Sequence, residues 1–167
     1  EPSLHPEFFN IMELFEKYFS RIQLFTNGIK IFNDDNFFKK TIKLIKNSKT
    51  FITFNGDQFK IKWIDTLLDN KIFFYAIKFV IQNKDDDLIK TIKDVLNKNS
   101  KIKIIISADS TLNIFNENIK KEYSKKLYET LIELIPYFER NFIKWSFDNS
   151  IPYCLLNKQL TVLFNDL

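Results

Sequence analysis

Between Asp85 and Ser110 a helical pattern runs directly into a strand pattern, and this junction restricts the possible folds more than any other stretch. Leu88, Ile89, Ile92, Val95 and Leu96 fall at i, i+1, i+4, i+7 and i+8, one apolar stripe of an amphipathic helix. Asp85, Asp86 and Asp87 stand where the helix dipole favours anions. Lys98, Asn99 and Ser100 stop the helix. Ile102 to Ile106 is then a nearly continuous β-branched run, the pattern of a strand covered on both faces, and it ends in polar Ser107, Asp109 and Ser110. A helix feeding a buried strand through a short loop is half of a right-handed α/β unit.

A second such unit lies upstream. Asn33, Asp34 and Asp35 supply N-cap chemistry for a helix whose apolar face is Phe37, Phe38, Ile42 and Ile45, and a strand follows at Thr50 to Phe54. Thr41-Ile-Lys43 with Lys46-Asn-Ser-Lys49 echoes Thr91-Ile-Lys93 with Lys98-Asn-Ser-Lys101, either through duplication or because a Lys- and Asn-rich chain repeats itself by chance.

The remaining elements follow from local pattern. Phe8, Phe9, Ile11, Met12, Phe15, Tyr18 and Phe19 form the stripe of an N-terminal amphipathic helix. That helix either caps the domain's own core or serves as an interface through Phe8, Met12, Phe15 and Phe19. Alternation around Asn27-Gly28 predicts a hairpin with a second strand at Ile29 to Phe32. Phe59 to Ile64, alternating with lysines, reads as an edge strand or hairpin partner, and Ile72 to Ile81 as a central strand. A long helix is expected from Ser110 to Phe138, bent or ended by Pro136. Three strands in a meander finish the chain, at Asn141 to Phe147, Ile151 to Leu156 and Leu160 to Phe164. The predicted class is α/β (α+β): a mixed β-sheet with packed helices, an N-terminal amphipathic helix and C-terminal antiparallel strands. Residues 1–27 read as a helix and linker or dimerisation arm, and 28–167 as a single domain.

Composition serves mainly to exclude. Of the 25 basic residues only Arg21 and Arg140 are arginine, so the bidentate fork that reads phosphates and guanine edges is scarce despite a net charge of +4. Direct nucleic-acid contact by this segment is therefore not expected. His5 is the only histidine, which excludes a histidine-based triad and a multi-histidine zinc site. With Gly28 and Gly56 the only glycines, no Gly-x-Gly-x-x-Gly loop or phosphate-cradling loop can form. Cys154 stands alone, which fits a reducing, cytoplasmic setting. No signal-peptide pattern is present, and the longest apolar run, Ile72 to Ile81, carries Lys78, so no membrane partner is expected. The chain opens on Glu1 and reads as a fragment with a segment upstream. No catalytic residue, cofactor or metal is expected.

What chemistry remains is sparse. Asp109 falls at the carboxyl end of a strand, where open α/β sheets bind ligands, or else it caps the next helix with Ser110. Asp85 to Asp87 read as dipole partners ahead of a metal site. Trp63, Tyr75, Trp145 and Tyr153 either line an apolar pocket with polar tips or belong to the core.

The order of elements from about residue 28 to 167 resembles the C-terminal sensor domains of archaeal winged-helix transcription regulators, of the TrmB-like and methanogenesis regulatory kinds, whose layout is similar to the phospholipase-D-like fold. The residues that carry the resemblance are Phe37-Phe-Lys-Lys-Thr-Ile-Lys-Leu-Ile-Lys-Asn-Ser-Lys49, Lys101-Ile-Lys-Ile-Ile-Ile-Ser107, Lys121-Glu-Tyr-Ser-Lys-Lys-Leu-Tyr-Glu-Thr-Leu131 and the finish Ile151 to Phe164. Gly56 to Lys84 departs from the pattern as an insertion. The His-x-Lys signature of the phospholipases is absent, so their catalysis does not carry over. The resemblance implies a non-catalytic domain that binds a small effector and/or mediates homodimerisation, with DNA contacted only through a winged helix upstream. Asn55, Tyr75, Ser107, Asp109, Ser110 and Tyr153 are the residues expected at the ligand. Two other classes remain open: a protein-interaction module of a virus or parasite with an A/T-rich genome, which the abundance of Phe, Ile, Lys and Asn suggests, and a metal-dependent hydrolase built on Asp109 with other carboxylates.

Overall fold

The computed structural model describes residues 1–47, 49–82, 87–109 and 117–148. After a 3-10 turn at Pro2–Leu4 come α1 (Phe8–Tyr18), β1 (Ile22–Thr26), α2 (Ile29–Asn33), α3 (Asp35–Asn47) and β2 (Thr50–Asn55). The chain continues through α4 (Lys62–Asp69), β3 (Ala76–Ile81), α5 (Leu88–Lys98), β4 (Lys103–Ala108), α6 (Glu117–Arg140) and β5 (Trp145–Phe147).

The five strands form one sheet in the order β1-β2-β3-β4-β5, and every neighbouring pair is parallel. Parallel neighbours cannot be joined by a tight turn, so each connection crosses over through a helix. Because the strand order never reverses, right-handed crossovers place all the helices between strands on the same face of the sheet. The register aligns Thr26, Phe54, Ile77, Ile104 and Trp145 across the five strands, and helices pack over this row. Phe32 of α2 meets Phe54 at 5.7 Å and stacks on Trp63 of α4 at 4.3 Å, while Phe138 of α6 meets Trp145 at 5.8 Å. Thr50 pairs with Ile22, 28 residues earlier, and Lys103 with Ala76, 27 residues earlier, whereas Ala76 pairs with Thr53 at 23 and Trp145 with Ile104 at 41, so α/β units of unequal length stack side by side. The echoing segments at Thr41 and Thr91 belong to two such units, α3–β2 and α5–β4.

The α/β class and the central place of β3 agree with the sequence. The C-terminal antiparallel strands do not: β5 lies parallel to β4, because the 24-residue α6 supplies the crossover that parallel pairing requires. The strands expected at 151–156 and 160–164 lie outside the described residues. The hairpin at Asn27-Gly28 is a strand-to-helix turn instead. Gly28 takes a left-handed φ of 78°, its N–H donates to Thr26 Oγ1 at 3.1 Å, and the Asn27 side chain accepts from Ile29 N–H at 2.9 Å, so the chain winds directly into α2. The edge strand expected over Phe59 to Ile64 gives way to α4, whose Trp63, Ile64 and Leu67 are buried at i, i+1 and i+4. Pro136 lies inside α6 without ending it, and the helix runs on to Arg140.

The N-terminal helix caps the protein's own core. Phe8 and Met12 of α1 are buried, and Phe8 stacks on Phe37 of α3 at 5.4 Å. Residues 1–27 thus supply both an edge strand and part of the core.

Candidate functional site

At the carboxyl ends of β1, β2 and β3 the surface sinks into a hollow of about 420 Å³, within the range of small-molecule sites. Its wall is made of residues from three neighbouring strands and the turns after two of them: Phe25 and Thr26 from β1 with Asn27, Thr53 and Asn55 from β2 with Gln58, and Lys78 and Val80 from β3. The register brings Asn55 beside Lys78 and Thr53 beside Phe25. Gln23 donates to the Thr53 hydroxyl at 2.9 Å and fixes the floor.

Glu1 pins the rim. Its carboxylate accepts from Thr26 Oγ1 and Asn27 N–H, both at 2.7 Å, and from the Ser3 backbone and side chain. Burial alone would raise the Glu1 pKa, but the hydrogen bonds from Asn27, Ser3 and Thr26 together outweigh it and hold the carboxyl below its ordinary value. Lys78 makes an ion pair with Asp148. The hollow thus holds one carboxylate engaged in four hydrogen bonds and one ammonium that is ion-paired.

Its polarity comes from amides. The Asn27 side-chain oxygen is held by Ile29 N–H at 2.9 Å and the Asn55 oxygen by Asp57 N–H at 3.3 Å, so what each side chain has left to offer a ligand is chiefly the donor capacity of its NH₂ group. Gln58 adds a donor and an acceptor. Phe25, 50% exposed, gives one apolar wall. The site can hold a small polar molecule rich in acceptors.

Of the residues expected from sequence, Asn55 lines the hollow. Ser107 is buried one strand further on, beside Val80 in register, and its hydroxyl lies 3.2 Å from the Ala108 carbonyl. Asp109 follows β4, with its N–H donating to the Tyr123 hydroxyl at 2.7 Å. Tyr75 sits at the opposite end of the sheet, fully buried against Phe54 at 5.8 Å and Phe59 at 6.4 Å. Burial pushes the Tyr75 phenol well up, opposed by the nearby Asn99 side chain and reinforced by Asp65; Asn99 does not reach hydrogen-bond geometry, so the phenol oxygen is buried without a partner among the described residues. Ser110 and Tyr153 lie outside the described residues. Of the interface residues, Phe8 and Met12 are in the core, whereas Phe15 and Phe19 are exposed and form an edge-to-face pair at 5.5 Å.

Sequence reasoning missed Phe25, Asn27, Gln58 and Lys78. The usable signal was the pair Asn27-Gly28 and Asn55-Gly56, 28 residues apart at equivalent strand ends. A second hollow, about 370 Å³, lies on the helical side between Phe32, Phe38, Lys60 and Trp63. Among the described residues no three His, Cys, Asp or Glu side chains are grouped to hold a metal, and no helix is long and apolar enough to cross a membrane.

The fold and the hollow define a parallel α/β domain with a ligand-sized site on the carboxyl edge of its sheet. No family model, curated protein sequence or solved structure matches the chain.

Proposed function

We propose that the chain is a non-catalytic regulatory domain that binds a small polar effector in the hollow between Asn27, Asn55 and Lys78. The observation that carries this reading is the convergence of three strand ends on an amide-lined hollow of about 420 Å³, at the edge where parallel α/β sheets hold ligands. Its place in a transcription regulator rests on the resemblance alone; DNA would be contacted through a segment outside these residues. Pairing of two copies would use Phe15 and Phe19, which the core leaves exposed.

A thermal-shift screen against central metabolites tests the reading. A ligand at a hundredfold its dissociation constant adds about 2.7 kcal/mol, a rise of a few degrees in a domain of this size. One or a few metabolites should raise the midpoint, and the rise should vanish in Asn55→Ala and Gln58→Ala. A flat screen, or variants that respond like the parent, would overturn the reading. The mass in solution, with and without Phe15→Ser and Phe19→Ser, tests the pairing.

A further inference from the structure

The edge of the sheet opposite the hollow has a different chemistry. Three loops lie side by side there, at the amino ends of β3, β4 and β5. They are stitched together by the Lys103 N–H donating to the Tyr75 carbonyl and the Ile104 N–H donating to the Lys144 carbonyl, both at 2.9 Å. Each loop turns apolar or cationic side chains outward. Phe142 is 92% exposed and Phe74 62%, with Phe73 also exposed. Lysines stand over the rings: Lys101 Nζ lies 5.6 Å from the centre of Phe73, and Lys144 Nζ 6.0 Å from that of Phe74.

Two of these tips begin at helix C-termini: the Lys71 and Ile72 N–H groups donate to the Leu68 and Leu67 carbonyls, and those of Phe142 and Ile143 to the Glu139 and Phe138 carbonyls, the capping arrangement that sets a left-handed residue after a helix. Among the described residues Lys71 (φ 61°) and Phe142 (φ 53°) are the non-glycine residues with left-handed φ, and both belong to this edge. A left-handed φ is costly for a bulky side chain and free for glycine. Phe142 accepts that conformation while burying almost none of its ring, so its side chain contributes nothing to the core of the isolated domain. Asp65 of α4 is paired with Lys98 of α5 at 2.6 Å; Asp69 and Glu139 sit at the ends of the helices that lead into the tips.

We propose that this edge docks on an anionic lipid surface, with Phe74 and Phe142 entering the headgroup layer and Lys71, Lys101 and Lys144 facing the acidic headgroups. Phenylalanines on adjacent loop tips supply apolar area to the interface, and lysines extend apolar stems while their ammonium groups stay with the headgroups. Each lysine near an acidic leaflet adds to the attraction. A single-stranded nucleic acid fits less well: its sites combine a basic groove along the backbone with stacking platforms, whereas these rings project from separate tips and the named cations are lysines. Because the hollow lies at the other end of the strands, lipid docking leaves it open.

Co-sedimentation with vesicles of phosphatidylcholine alone, and of phosphatidylcholine mixed with phosphatidylserine, tests the proposal. Binding is expected only to the phosphatidylserine vesicles, weakening as salt rises. Phe74→Ser with Phe142→Ser should reduce partitioning on the order of tenfold, and Lys101→Glu with Lys144→Glu should abolish it. Phe142→Gly keeps the left-handed turn, so its weakened binding with an undiminished unfolding midpoint would separate docking from folding. No binding to phosphatidylserine vesicles, binding unaffected by the double phenylalanine variant, or preferential capture of a single-stranded oligonucleotide that displaces the vesicles would each overturn it.

Discussion

The Tyr123 hydroxyl on α6 donates to the Ile81 carbonyl at the end of β3, at 2.7 Å. It also accepts the Asp109 N–H beyond β4 at 2.7 Å, so one buried phenol ties the carboxyl ends of two central strands to the longest helix. Tyr123→Phe keeps the ring and removes both bonds, leaving a strand-end carbonyl and an amide short of a partner. A loss of about 1–3 kcal/mol in unfolding free energy is expected, measured by urea titration.

Burial also pushes the Tyr123 phenol up, with the Asp109 backbone hydrogen bond opposing and the Asp109 charge adding, and the Tyr75 phenol is raised in the same direction. A group whose pKa is higher in the folded state favours folding fully below its unfolded value and loses that contribution as pH rises through the folded one. The unfolding midpoint is therefore expected to fall above about pH 10, the unperturbed tyrosine value, and the alkaline limb should flatten in the Tyr75→Phe variant.

Glu1 sets the acid side. Its lowered pKa means that it stabilises the fold above the unfolded value of 4.5 and that the contribution disappears as pH falls through the lower folded value. Glu1→Gln should flatten the loss of stability below about pH 4.5, the model-compound value for this carboxyl. Circular dichroism melts across an acid series would read it, and an unchanged acid limb would contradict the latch at the rim.

Gly56 has no room for a side chain. A Cβ there would lie 2.5 Å from the Phe79 ring and 2.8 Å from the Lys78 carbonyl oxygen, one of which belongs to the backbone of the neighbouring strand and cannot swing away. Gly56→Ala is expected to cost about 1–3 kcal/mol, the usual range for overpacking. Phe142→Gly goes the other way: relief of the left-handed backbone should leave stability unchanged or raise it by about 1 kcal/mol.

Local pattern made much of this architecture legible. The stripes at Phe8–Phe19, Phe37–Ile45 and Leu88–Leu96 became α1, α3 and α5, and the β-branched run before Ser107 became β4. Short amphipathic stretches were ambiguous. Ile29 to Phe32 alternates as a strand would, but Gly28 and the Asn27 side chain start a helix, a choice settled by turn chemistry and by the Phe54 and Trp63 rings that crowd Gly28. Strand direction was not encoded locally at all: Trp145–Phe147 has the same pattern parallel or antiparallel, and the length of α6 decides it. At the site, Asn55 was found because it ends a strand, whereas Asn27, Gln58 and Lys78 join it only through the register of three strands. Tyr75 was drawn in by its polar tip, yet it sits at the amino end of β3, the wrong edge to meet them.

The central claim is that the carboxyl edge of β1, β2 and β3 is the binding site, and backbone amide chemical shifts report on it residue by residue. Titration with a metabolite that raises the unfolding midpoint should move the amides of Asn27, Asn55, Gln58 and Lys78 while those of Phe74 and Phe142 stay still. Perturbations concentrated on the helical side around Phe32 and Trp63, or on the amino edge, would contradict the account.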